Sequence, residues 1–299
     1  MTIDIKPEAN FSIEFFPPKT AEGAEKLRAT WTRLAELKPK YFSVTFGAGG
    51  STQSGTLDTV LGLMRDGHDA APHLSCVGGS RESIRAILAQ YKASGIKRVV
   101  ALRGDLPSGF GGVGEFRYAS ELIEFIRADT GDWFEIQVAA YPEMHPQAKS
   151  PQDDLKSFAH KVACGANSAI TQYFYNPDAY FRFVEETRRI GITVPIVAGI
   201  MPITNYSQLM RFSEMCGAEI PRWIRLKLAS YGDDTASIKA FGLDVVTHLC
   251  ERLLVGGAPG LHFYSLNQAA TTMAIVQSLR PVSVHSDGAE AGICCNHTH

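Results

Sequence analysis

The sequence predicts an α/β fold, a single (β/α)8 TIM barrel, on three observations. Strand-like apolar runs alternate with stretches of helical periodicity until eight strands are counted, each followed by a helix. No linker or shift of composition divides the chain. The strand-like runs also end on polar or ionisable residues, as expected where parallel strands deliver side chains to a ligand-binding edge. A doubly wound open sheet is the alternative, because alternation by itself does not distinguish closure from an open edge.

The first strand is Phe11–Phe16, closed by Pro17-Pro18, and a helix follows from Thr20 to Leu37 with Leu27, Trp31 and Leu34 on one face. The second strand is Tyr41–Phe46 and its helix Thr52–Arg65. Strands then fall at His73–Val77, Arg98–Leu102, Phe134–Ala140, Ala169–Phe174, Pro195–Ile200 and Gly260–Ser265. The helices between them are Ser80–Ser94, Tyr118–Asp129, Asp153–Cys164, Asp178–Arg189, Asn205–Met215 and Asp234–Leu254, and Asn267–Leu279 closes the set. The barrel is expected to occupy residues 1–281, with 282–299 a mobile tail after Pro281.

Composition narrows the function. The 299 residues, 45% hydrophobic, can bury a full core, and a net charge of −2 argues against nucleic acid or an anionic membrane as partner. No apolar run is long enough to span a bilayer, and Met1–Asn10 lacks the apolar core of a signal peptide, so a cytoplasmic protein is expected. Cys76, Cys164, Cys216 and Cys250 are scattered through predicted elements, which suits reduced thiols better than a disulfide framework. Cys294, Cys295, His297 and His299 have metal-ligand chemistry but no second ligand pair at zinc spacing, and no metal is expected.

Among the motifs, Gly109-Phe110-Gly111-Gly112-Val113-Gly114 matches the dinucleotide pattern, yet its first glycine stands well past the strand end and its last well before the helix. A loop over a site is the better reading. Phe46-Gly47-Ala48-Gly49-Gly50-Ser51-Thr52 could cradle a phosphate or let backbone approach a flat ligand. The run Val99–Leu102 ends in Arg103-Gly104-Asp105, which makes Asp105 a candidate for chemistry. Glu14, Thr45, His73, Asp105, Tyr141 and Gln172 each fall at or near the carboxyl end of a different strand, and a barrel would gather them at one rim. Glu14 stands among Ile13, Phe15 and Phe16; aromatic neighbours that desolvate a carboxyl would make it a general acid near neutral pH. The competing reading is a buried structural glutamate paired with Arg or Lys.

Six strings, namely SIEFFPPK (12–19), PHLSC (72–76), ALRGD (101–105), VAAYPEMHP (138–146), ITQYF (170–174) and HFYSLN (262–267), together resemble the methylenetetrahydrofolate reductase family, in order from about residue 11 to 280. The resemblance implies a barrel with FAD at the carboxyl rim of its strands. Such an enzyme reduces 5,10-methylenetetrahydrofolate to 5-methyltetrahydrofolate with NADH or NADPH by ping-pong hydride transfer. It further implies a homo-oligomer with a folate substrate.

Carried over by position, Glu14 corresponds to the general acid and Asp105 to a carboxylate beside the flavin that binds the pterin. Gln172 corresponds to a substrate-orienting amide, and Gln208 and Phe212 to the residues on which folate and nicotinamide alternately stack. Thr45, Phe46, Ala48, His73, Arg103, Gly104, Tyr118, Ala119, Tyr141, His145, Asp154 and Lys161 correspond to flavin contacts. The chain departs from the pattern with His160 where relatives often carry Arg, Ser157 for a common Asn, and Gln268 where relatives can carry an Arg that holds folate. The first two changes imply weaker FAD binding and the third a looser grip on the folate tail. Rival readings are oxidation of methyltetrahydrofolate coupled to another electron carrier, and a folate- or flavin-binding scaffold without turnover. A Schiff-base lyase lacks a placed lysine, since Lys227 follows the seventh strand and Lys97 and Lys40 precede strands.

Overall fold

In the computed structural model, which describes residues 10–46, 53–104 and 114–279, eight parallel strands close on themselves. They are β1 (Phe11–Phe15), β2 (Phe42–Val44), β3 (Ala70–Ser75), β4 (Arg98–Leu102), β5 (Glu135–Ala140), β6 (Ser168–Thr171), β7 (Ile196–Ile200) and β8 (Leu261–Tyr264). Closure is made where β1 pairs with both β2 and β8, Glu14 standing opposite Ser43 on one side and Tyr264 on the other. The open-sheet alternative is thereby removed. Asp105, Ala48, most of the glycine string from Gly109 and the tail 282–299 lie outside the described residues.

The helices are α1 (Ala21–Ala35), α2 (Gln53–Arg65), α3 (Arg81–Ala93), α4 (Ala119–Thr130), α5 (Pro151–Ala163), α6 (Pro177–Arg189), α7 (Tyr206–Cys216), α8 (Arg222–Ser230), α9 (Thr235–Val255) and α10 (Ala269–Ser278). Their starts follow local chemistry: the side chains of Thr20, Ser80, Ser150, Asn176, Asn205 and Asp234 each accept a backbone N–H from the first turn they precede. Two sequence expectations need correction. Strand β3 begins at Ala70, before the predicted His73, because the small apolar pair Ala70-Ala71 and Pro72 extend the ladder against β2. Helix α8 was not anticipated; only Ile224 and Leu228 of its nine residues are buried, and a single i, i+4 apolar pair is a weak periodic signal.

The parity of β1 explains the architecture. Phe11, Ile13 and Phe15 belong to the large core between strands and helices, where Leu27, Trp31 and Leu34 of α1 are also buried. Each fully buried aliphatic or aromatic side chain there is worth roughly 1.5–3 kcal/mol, so this outer layer carries the stability. Ser12 and Glu14 alternate with them and turn to the barrel interior. That interior holds one small apolar cluster, Tyr41, Ala71, Val100 and Ile170, and is otherwise rich in buried polar groups. At its amino end Arg98 stacks 4.5 Å over the Tyr41 ring and pairs with Glu135 and Asp69. At the carboxyl end Gly199 leaves room for Tyr264, whose hydroxyl donates to the Thr171 carbonyl at 2.7 Å; a Cβ on Gly199 would stand 2.1 Å from that same oxygen.

Cys76, Cys164, Cys216 and Cys250 are free thiols, as expected. Among the described residues no helix is long and apolar enough to cross a membrane.

Candidate active site

Glu14, buried in the barrel mouth, is approached by two histidines, His262 from the adjacent strand β8 and His73 from β3, two strands away on the other side. Its Oε2 lies 3.3 Å from His73 Nε2 of β3 and 3.5 Å from His262 Nε2 of β8. His262 Nδ1 is in turn 2.7 Å from Ser12 Oγ, and a Ser12 hydroxyl that donates to it sets the His262 proton on Nε2, facing the carboxylate. Neither histidine uses Oε1. The main chain is pinned as well, since Ser265 Oγ donates to the Glu14 carbonyl at 2.6 Å.

This arrangement corrects the sequence argument for Glu14. Ile13 and Phe15 point into the outer core, on the far side of the strand, so of the three expected neighbours only Phe16 lines the cleft with the carboxyl, and the buried groups nearest its oxygens are imidazoles. The competing expectation of an Arg or Lys partner also fails, because the described residues that pair with Glu14 are both histidines. Burial pushes the His73 pKa below its ordinary 6.5, His262 pushes the same way and Glu14 opposes, so His73 is uncharged at neutral pH. Its Nε2 is close to Glu14 but out of line for a hydrogen bond, leaving a buried polar atom without a partner at the mouth.

Above Glu14 opens a cleft of about 430 Å³. Thr45, Phe46, His73, Gly104, Tyr141, Gln172 and Phe212 line it, with Met201, Met215 and Leu266 adding apolar wall. Gln172 Oε1 accepts the Tyr173 N–H at 3.0 Å, which leaves the amide nitrogen as a donor toward the cleft. Gly104 sits at φ +85°, where a Cβ would lie 1.9 Å from Ser75 Oγ; only glycine lets the chain turn this close under the cleft floor. On the opposite lip Leu266 and Asn267 both take left-handed backbone, at φ 52° and 57°, and Asn267 clamps the Phe16 N–H and carbonyl.

Beside the cleft runs a trough of about 440 Å³ lined by Arg103, Tyr118, Ala119, Tyr141, His145, Asp154, Ser157, His160 and Lys161. Tyr141 is a wall of both, so the two form one elongated depression. The trough sets two cations, Arg103 and Lys161, beside two carboxylates, Glu121 and Asp154. Burial pushes the Lys161 amine from 10.5 down to about 8, with Asp154 opposing, and the amine donates to the Ala139 carbonyl. Arg103 reaches Gln147 at 2.6 Å, and Asp154 accepts the His145 N–H at 2.8 Å from the first turn of α5.

Of the residues singled out from sequence, Glu14, Thr45, Phe46, His73, Gly104, Tyr141, Gln172 and Phe212 meet in the cleft, and Arg103, Tyr118, Ala119, His145, Asp154, His160 and Lys161 in the trough. Gln208, half-buried on the first turn of α7, and Gln268, exposed at the start of α10, stand outside both walls. Sequence reasoning missed Ser12, His262 and Tyr264 as parts of the site. The signal was present as parity: Ser12 and Glu14 alternate with buried apolar residues, and His262 and Tyr264 do the same around Phe263. A larger groove of about 990 Å³ lies among α6, α8 and α9, lined by Trp223, Phe241 and Arg252, and holds none of the strand-end groups.

Comparison with known proteins agrees with this geometry. The family model for methylenetetrahydrofolate reductase matches residues 2–280. A 5,10-methylenetetrahydrofolate reductase of Pectobacterium carotovorum subsp. carotovorum is 40% identical over 277 residues, covering 92% of each chain, and the Escherichia coli (strain K12) enzyme of that name is 39% identical with the same coverage. A probable methylenetetrahydrofolate reductase (NADH) of Oryza sativa subsp. japonica is 39% identical over 90% of this chain and 48% of its own length. Among solved structures, a Clostridium thermocellum protein described as binding two copies of 5-methyl-5,6,7,8-tetrahydrofolic acid shares the fold, with TM-score 0.66 and 17% identity over 90% of this chain and 93% of its own.

Proposed function

The chain belongs to the methylenetetrahydrofolate reductase family of oxidoreductases, and from that premise we propose that it reduces 5,10-methylenetetrahydrofolate to 5-methyltetrahydrofolate, with FAD lying across the cleft and trough and Glu14 as proton donor. The observation that carries this reading is the joining of a buried carboxylate, through one shared wall, Tyr141, to a trough that offers Arg103 and Lys161.

The residues present fit FAD. The unpartnered His73 Nε2 and the N–H groups around Gly104 border the cleft, where a flat ring would lie, and Arg103, His160 and Lys161 would face a diphosphate in the trough. Asp105, next in the chain after Gly104, belongs to the proposal as the carboxylate that stabilises developing positive charge on the substrate. When bound, FAD supplies the relay that carries hydride from the nicotinamide to the one-carbon unit.

The protein's own part is proton delivery and orientation. The one-carbon bridge of the substrate joins two nitrogens, N5 and N10. Glu14 Oε1 passes a proton to N10, directly or through water; the N10–carbon bond breaks with its electron pair going to N10, and the carbon becomes an N5 iminium that accepts hydride. His262 and Ser12 keep Glu14 in place by holding Oε2. Gln172 and Phe212, both in the cleft wall, would orient and stack the pterin, and nicotinamide and folate would take turns there. The names of the plant relatives favour NADH as the donor. The exposed Trp223 and Leu226 of α8 suit the homo-oligomer implied by the resemblance.

The test is anaerobic. Purified protein loaded with FAD is expected to lose its yellow colour on adding NADH and regain it on adding 5,10-methylenetetrahydrofolate, with one 5-methyltetrahydrofolate formed per flavin. Protein that binds FAD but ignores NADH, while methyltetrahydrofolate bleaches it, would replace the reductase reading with that of an oxidase coupled to another carrier.

A further inference from the structure

At the outer edge of the trough, sharing His160 with its wall, one cluster joins three different metal-binding side chains. His160 lies in the last turn of α5 and Cys164, four residues on, is its C-cap, and Glu124 reaches them from the adjacent α4. Cys164 Sγ lies 3.2 Å from Glu124 Oε1 and 3.8 and 3.9 Å from the His160 ring nitrogens, and one donor atom from each residue lies within 4.8 Å of the others. For a tetrahedral zinc with Zn–S near 2.3 Å and Zn–N or Zn–O near 2.0 Å, the expected ligand-to-ligand edge is about 3.5 Å. The sulfur-centred distances straddle that edge. Sequence spacing could not show this, since Glu124 and His160 are separated by strand β5 and belong to different helices.

We propose that Glu124, His160 and Cys164 form a three-ligand site for a zinc-class divalent ion at the outer lip of the cofactor trough, with water as the fourth ligand. The ligand set chooses the metal class: thiolate and imidazole select zinc or cobalt over magnesium and calcium, which take oxygen ligands. Three protein ligands on a partly exposed surface leave one tetrahedral position to solvent. On binding, the Cys164 S–H bond breaks, an S–metal bond forms in its place, and the proton leaves to solvent. Without metal the thiol donates to Glu124. The ion would tie α4 to α5 across the back of the trough, since His160 faces both the cluster and the trough.

The test uses the full chain carrying Cys294→Ser and Cys295→Ser, so that the terminal thiols cannot answer, stripped with chelator and titrated with Co²⁺. One equivalent is expected to raise a thiolate-to-cobalt charge-transfer band and tetrahedral visible bands, and excess Zn²⁺ should abolish both. In that background Cys164→Ser should remove the charge-transfer band. Glu124→Gln, an exposed change that spares the fold, should weaken binding by more than about tenfold, because even outer-shell partners of metal ligands cost 10- to 100-fold. Zn²⁺ should also raise the melting temperature, and not in Cys164→Ser. No charge-transfer band at about 100 μM Co²⁺, a concentration typical of weak surface sites, or a band undiminished in both variants, would overturn the site.

Discussion

The cleft around Glu14 and the trough around Lys161 share Tyr141 and are built by opposite rules. The cleft is assembled largely from side chains within strands or one residue past them, so sheet parity fixes their direction, and it is mostly apolar with a few buried polar groups. The trough is assembled from loops and from the flanks of α4 and α5, and its charged groups are half-exposed. A site on a rigid sheet can hold a proton donor within the narrow tolerance chemistry demands, whereas a helix-and-loop groove supplies charge for affinity. Substitution of the proton donor should therefore change rate at constant cofactor affinity, and substitution of the trough's cations the reverse.

The largest expected effect is Glu14→Gln. Loss of a positioned acid typically costs about 10²–10⁴-fold, so folate turnover should fall by that much while flavin reduction by NADH and FAD affinity stay as they are. Anaerobic stopped-flow measurement of the two half-reactions reads this; equal loss of both would erase the division between cleft and trough. Next is Lys161→Ala. A hydrogen bond to a charged group is worth about 1.5–3 kcal/mol, hence roughly tenfold or more in FAD dissociation constant, with kcat of the FAD-saturated protein little changed. Flavin fluorescence on titration measures the first and steady-state assay the second.

The pH dependence sharpens the same contrast. Lys161 keeps its proton below about 8 and loses it above, unlike an ordinary lysine that stays charged to 10.5. An anionic diphosphate should accordingly bind less tightly as pH rises through 8, and Lys161→Ala should flatten that slope. If the slope survives in the variant, another group sets it. The smallest effect is expected from His160→Arg, which restores a permanently charged fork at the trough wall and should tighten FAD severalfold, visible in the same titration.

Much of the cleft was legible in the chain because its cues are local. Apolar runs with polar ends mark the strands, and in a parallel barrel every strand end arrives at one rim, so Glu14, Thr45, His73, Tyr141 and Gln172 could be gathered on paper. The reason offered for Glu14 held only in part for an equally local cause: residues adjacent in a strand face opposite sides, so Ile13 and Phe15 turn away from the carboxyl, whereas Phe16, two residues on, lines the same cleft. Helix α8 escaped because its buried face is one residue pair. Gln208 and Gln268 were assigned by position along the chain, and side-chain direction at a helix start is not written there.

The amino-acid order by itself determined the alternation of strands and helices, the outer core under them and the side-chain caps of six helices, since these depend on periodicity and on contacts within a few residues. Only the tertiary structure decided that β8 returns to β1, and with it that His262 and Ser12 flank Glu14. Those partners are about 250 residues from one another along the chain. Pairing across that span is settled by closure of the sheet, a cooperative choice among whole strands that no short window of sequence encodes.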